Sequence, residues 1–101
     1  MITVLVFGTF DKLHPGHRWF LRKAKKHGDR LVVVVARDHN VVFIKKRQPS
    51  QTETERLANV QAVPEVDEAR LGLEDYSKKE TIIDEIKPDI ICLGYDQAPG
   101  F

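Results

Sequence analysis

At 101 residues the chain has room for one domain and nothing larger, and its 42% hydrophobic and 31% charged residues exclude a disordered polymer. The longest wholly apolar stretch, Leu31 to Ala36, is far short of the roughly 20 residues that a bilayer span requires, and Met1 is followed by Ile2-Thr3-Val4-Leu5-Val6-Phe7 without the basic segment of a signal peptide, so a cytoplasmic protein with no membrane partner is expected. The net charge of +1 conceals an asymmetry, because residues 1–50 hold 11 Lys/Arg and 3 Asp/Glu while residues 51–101 hold 5 and 12.

Residues 2–7 and 31–36 are Val-rich runs without polar alternation, the pattern of strands buried on both faces of a parallel sheet. Between them Pro15 to His27 places His17, Phe20, Leu21 and Ala24 on one helical stripe, with Pro15 in the first turn and Gly28 as the stop. Arg18, Arg22, Lys23, Lys25 and Lys26 read as the solvated face of that helix, and Trp19 as packing. Arg37 to Gln51 has neither period, carries Lys45, Lys46 and Arg47, and is expected to be a loop that orders on binding an anion. Capping boxes at Thr52/Glu55 and Ser77/Glu80 open helices that run to about Val63 and Ile86, before Pro64 and Pro88. Short strands are expected at Glu68 to Leu71 and at Asp89 to Leu93. The single cysteine, Cys92, forms no internal disulfide and is expected to be a small buried side chain. This alternation predicts an α/β fold, one domain spanning 1–101, with right-handed crossovers.

The stretch Gly8-Thr9-Phe10-Asp11-Lys12-Leu13-His14-Pro15-Gly16-His17 runs from the first strand into the first helix. Ligands of such sheets lie beyond the carboxyl ends of the strands, and free N–H groups at a helix start favour phosphate. Gly8 would let the backbone approach a ligand closely. His14 and His17, three residues apart, can face one ligand at that helix terminus. Each also has a plainer reading, His14 as a helix cap and His17 as a core-facing ring.

This string resembles the signature of the nucleotidylyltransferase superfamily, a Gly-Thr-Phe-Asp turn followed by His-x-Gly-His at the start of the first helix. The likeness continues in Val33 to Asp38, Ile44 to Pro49, Glu55-Arg56-Leu57, Val66 to Ala69 and Lys87 to Gln97, and is most similar to the archaeal FAD synthase branch, with glycerol-3-phosphate cytidylyltransferase more distant. It implies a Rossmann-like sheet of about four strands in the order 3-2-1-4 with helices on both faces. It also implies nucleotidyl transfer: a phosphate of a small acceptor, FMN or glycerol 3-phosphate in type, attacks the α-phosphorus of ATP or CTP, carried with Mg²⁺, and pyrophosphate leaves.

By position in the motif, His14, His17 and Lys45 would be catalytic, with Lys46 able to replace its neighbour. Gly8, Thr9, Phe10, Gly16, Arg56, Gly94 and Asp96 would contact the nucleotide. Otherwise Lys45 belongs to a solvated basic run, Arg56 is a helix-surface charge and Asp96 a turn former. No protein-held metal site and no nucleic-acid partner are expected. The family's downstream strand and Ser/Thr motif do not follow Ala98-Pro99-Gly100-Phe101, so the alternative is a nucleotide-binding domain without turnover. The same shortening would leave the last strand at an edge, where pairing into a homodimer is expected.

Overall fold

The computed structural model describes residues 1–74 and 79–93. Four parallel strands, β1 (Thr3–Gly8), β2 (Arg30–Val35), β3 (Glu68–Leu71) and β4 (Ile90–Leu93), lie in the order β3-β2-β1-β4. Four helices, α1 (Pro15–Lys25), α2 (Asp38–Lys45), α3 (Glu53–Gln61) and α4 (Lys79–Ile86), connect them.

Burial on both faces explains the apolar runs of the central pair. Val4, Val6, Leu31, Val33 and Val35 join a core with Leu21 and Ala24 of α1 and Val60 of α3, while Leu5, Val32 and Val34 point the other way onto Ile82 of α4. The order reverses after β3, since β4 returns to the free side of β1. Right-handed crossovers in opposite directions demand helices on opposite faces, which is where α1 and α3 stand relative to α4. The carboxyl ends of β1 and β4 therefore flank the switch point at which such sheets bind ligands. Among the described residues, no helix is long and apolar enough to cross a membrane.

Two aspartates anchor the opposite end of β1. Asp29 accepts from Ile2 N (2.7 Å) and Asp89 from Thr3 N (2.8 Å), while their own amides donate to Ile2 O and Thr3 O. Gly28 is required here by close approach, because a Cβ at that position would stand 2.7 Å from Ile2 O.

The charge asymmetry of the sequence is folded onto itself. Arg22 pairs with Glu65, Lys25 with Asp67, Arg30 with Glu68 and Arg37 with Glu53, each joining a basic residue of the first half to an acidic one of the second. The bond from Lys25 and that from Leu31 N (2.7 Å) hold the Asp67 carboxyl below its usual range. Trp19 is not packed as expected: it is 58% exposed, with the Lys23 ammonium 5.5 Å from the ring centre. Cys92 is half-buried and packs against the α1/α3 core, and burial raises its thiol pKa.

The segment 37–51 is the main departure from the sequence reading, for residues 38–45 form α2 rather than a loop. Arg37, its N-cap residue, contributes no side-chain cap. The cap is borrowed from α3, where the Glu53 carboxylate accepts from Asp38 N (2.9 Å) and Arg37 Nη1 (3.2 Å). Ser77 lies outside the described residues, whereas the Thr52/Glu55 capping box forms as expected.

Gly28→Ala is expected to destabilise the fold by about 1–3 kcal/mol, since the obstructing atom is main chain and cannot swing aside. Chemical denaturation of both proteins measures this. Asp67 has a depressed folded pKa, so its stabilisation is present above the unfolded value of about 3.9 and lost as pH falls through the lower folded value. Asp67→Asn should therefore flatten the acid limb of the stability profile below pH ~4, read from denaturation midpoints across pH.

Candidate nucleotide site

The loop from Gly8 to His14 carries two residues in the left-handed region, Phe10 (φ 54°) and Lys12 (φ 52°). Side chains other than glycine adopt this conformation at a cost, so something must hold it. Phe10 is held by its ring, which is buried in the α1/α3 core and folds back over Gly8. A Cβ on Gly8 would meet that ring at 2.6 Å. The space expected to admit a ligand beside Gly8 is thus filled by the chain itself. Any contact of Phe10 with a nucleotide falls to its main chain.

Lys12 is held from the other side, its N–H donating to Gln51 Oε1 (2.9 Å). Next to it the Asp11 carboxylate accepts from Ser50 N (2.8 Å) and Gln51 N (3.0 Å). Burial pushes the Asp11 carboxyl up, but these two bonds, with the nearby charges of Arg56 and Lys12, outweigh it and keep the carboxyl below its ordinary value.

Arg56 is not the surface charge its sequence context allowed. Its side chain is fully buried, with Nε on Gln51 O (3.2 Å), Nη1 on Thr9 O (2.9 Å) and Nη2 on Asp38 Oδ1 (2.6 Å). One guanidinium thereby ties the loop after β1 to the first residue of α2 and to the turn before α3. Arg56 holds the site together from behind rather than lining it. Asp11, Asp38, Gln51 and Glu53 were missed as site residues by sequence reasoning. The available signal was Arg56 itself, which shares a helical stripe with Val60 and Val63.

His14 is the N-cap of α1, its Nδ1 accepting from Gly16 N (3.0 Å), and His17 Nδ1 accepts in return from His14 N (3.3 Å). The two rings stack with centroids 3.9 Å apart, and the edge of Phe10 meets His17 at 5.5 Å. His17 is buried behind the pair and His14 is exposed at its front. Gly16 N–H, expected to serve phosphate, is engaged by the cap. A ring nitrogen that accepts from an amide carries no hydrogen, so in each neutral imidazole the hydrogen sits on Nε2. The plain and the functional readings of the histidines are therefore compatible, since Nδ1 of each ring shapes the helix start while Nε2 carries the hydrogen.

Lys45 closes α2 and Lys46 is its left-handed cap, with the Lys46 ammonium 5.5 Å from the Phe43 ring centre. They stand about 10 Å along the helix from Asp38, the residue that binds Arg56. Gly94 and Asp96 lie outside the described residues. Among the described residues, no three acidic, His or Cys side chains gather into a metal cage, and Asp11 and Asp38 are already bonded to amides and to Arg56. A protein-held Mg²⁺ does not fit these groups.

A profile of the family described as "Cytidylyltransferase-like" matches residues 5–101. This chain belongs to the cytidylyltransferase-like family. Among curated members of known name, it is 52% identical over 97 residues to the FAD synthase of Ferroglobus placidus and 48% identical over 97 residues to that of Aciduliprofundum boonei. Each match covers 96% of this chain, which spans 61% and 63% of those proteins' lengths. The crystal structure of the lipopolysaccharide core biosynthesis protein from Thermoplasma volcanium superposes with a TM-score of 0.86 at 46% identity, covering 96% of this chain and 77% of that one. A cytidylyltransferase-like domain with the 3-2-1-4 sheet is what the sequence motifs implied.

Arg56→Met should lower stability by about 2–4 kcal/mol, because Thr9 O and Gln51 O lose a buried donor and Asp38 its counter-charge. Arg56→Lys should recover only part of this, a single ammonium being unable to span three acceptors. Denaturant midpoints for the two variants provide the comparison.

Proposed function

We propose that this domain binds the triphosphate of ATP at the start of α1 and transfers the adenylyl group to the phosphate of FMN. The observation that carries the reading is the reciprocally capped His14/His17 pair above the carboxyl end of β1, at the sheet's switch point. The choice of FMN and ATP is supported by FAD synthases that are about half identical over nearly all of this chain.

An oxygen of the FMN phosphate attacks the α-phosphorus, a new P–O bond forms, and the bond to the β-phosphate oxygen breaks with loss of pyrophosphate. The protein's part is placement and neutralisation of charge. His14, in front, donates its Nε2–H to a phosphate oxygen whose negative charge grows during the attack. His17 lies behind it and acts as a positioning residue, holding His14 by stacking and by the bond from His14 N. The positive end of the α1 dipole favours the same anion. Lys45 or Lys46 supplies a positive charge from the end of α2. Mg²⁺ enters as part of the substrate, on the triphosphate oxygens, which suits an ion that keeps its waters and takes few protein ligands.

The test pairs calorimetric ATP binding with pyrophosphate release from FMN plus ATP, FMN plus CTP, and glycerol 3-phosphate plus CTP. The reading expects ATP to bind and pyrophosphate and FAD to appear together with FMN plus ATP alone. Binding without release from any pair would instead give a nucleotide-binding domain without turnover, and absence of ATP binding would overturn both readings. His14→Ala should reduce turnover by about 10²–10³-fold, and a change of less than threefold would remove His14 from the reaction.

A further inference from the structure

A cleft of about 350 Å³ opens between the loop after β1, the second half of α3 and the first turn of α1, lined by Lys12, Leu13, Arg18, Gln51, Asn59 and Ala62. Its position differs from that of the histidine pair, since it lies along the groove between α1 and α3. Its chemistry is one-sided. Lys12 and Arg18 bring two positive charges, and no carboxylate lines it. Most basic residues nearby are committed elsewhere, Arg22 to Glu65, Lys25 to Asp67 and Arg56 to Asp38, whereas no ion pair among the described residues takes Lys12 or Arg18.

The amides add to this bias. Gln51 Oε1 accepts from both Lys12 N (2.9 Å) and Asn59 Nδ2 (3.3 Å), which occupies the acceptor of Gln51 and leaves its NH₂ as the group with hydrogens to give. Two cations, amide donors and a small apolar floor of Leu13 and Ala62 make a site for an oxyanion. The volume lies at the small-molecule end of ligand pockets and is too small for a polymer.

We propose that this cleft is a second anion site, which takes a phosphoryl group independently of the nucleotide phosphates at His14. Arg18 offers the planar, two-pronged donor geometry that phosphate oxygens match, and Lys12 offers a point charge. The site is coupled to the reaction loop by construction. Lys12 sits between Asp11 and His14, in the left-handed conformation held by Gln51, and an anion that engages Lys12 and Gln51 would stiffen the segment that presents His14.

The experiment is a ¹H–¹⁵N titration of the whole chain with inorganic phosphate, with AMP and, at matched ionic strength, with chloride. Saturable shifts at the amides of Asn59 and Ala62 with phosphate but not chloride are expected, and in Arg18→Gln they should weaken at least tenfold while the Gly16 and His17 amides still respond. Tighter binding of AMP than of phosphate at Asn59 and Ala62 would assign the phosphoryl group to an organic carrier, and equal binding to the free ion. Shifts confined to Gly16 and His17, equal shifts with chloride, or an unchanged response in Arg18→Gln would each overturn the proposal. None of these readouts depends on adenylyl transfer.

Discussion

A guanidinium removed from water must find partners, and in this protein that demand organises the functional edge of the sheet. Arg56 meets it with the carbonyl of Thr9, the carbonyl of Gln51 and the carboxylate of Asp38. The three partners belong to three different segments, so the loop after β1, the start of α2 and the turn before α3 cannot shift independently. A buried cation with one wrong partner is strongly destabilising, and this makes the arrangement all-or-none. Within that frame the left-handed Phe10 and Lys12 are tolerated, because the ring of one is packed in the α1/α3 core and the amide of the other is held by Gln51, whose carbonyl Arg56 binds.

The histidine pair is the outermost product of the same frame. A cap made by imidazoles is unusual work for a side chain whose value elsewhere lies in its proton. Here the two tasks fall on opposite nitrogens of each ring. The amides of Gly16 and His14 take Nδ1, and the stack of the rings on each other, backed by the edge of Phe10, limits their rotation. The helix start is thus finished as a helix while both imidazoles are held in one orientation.

The sheet was legible in the sequence because its signals are local. Residues 31–35 are buried on both faces and therefore read as one apolar run, and β3 falls at Glu68 to Leu71, between the two helices that the capping boxes announce. The motif likewise located the loop and both histidines. What stayed hidden depends on distant partners. The run Val41-Val42-Phe43 suggests no helix until Glu53 supplies the missing cap to Asp38. Arg56, flanked by Glu55, resembles any solvated charge unless its place on the stripe with Val60 and Val63 is weighed. Gly8 serves the ring of Phe10, a relation that only the left-handed turn at Phe10 creates.

In the proposed reaction the backbone fixes the hydrogen of both imidazoles on Nε2, and this aims His14 at the nucleotide. Long-range ¹H–¹⁵N correlation spectra of the imidazoles, recorded where both rings are neutral, report the tautomer of each ring directly. Nε2–H is expected in His14 and in His17, with the His14 Nε2 resonance moving on addition of ATP and its Nδ1 resonance holding still. A hydrogen on Nδ1 of either ring, or an ATP response at Nδ1 of His14 instead, would contradict it.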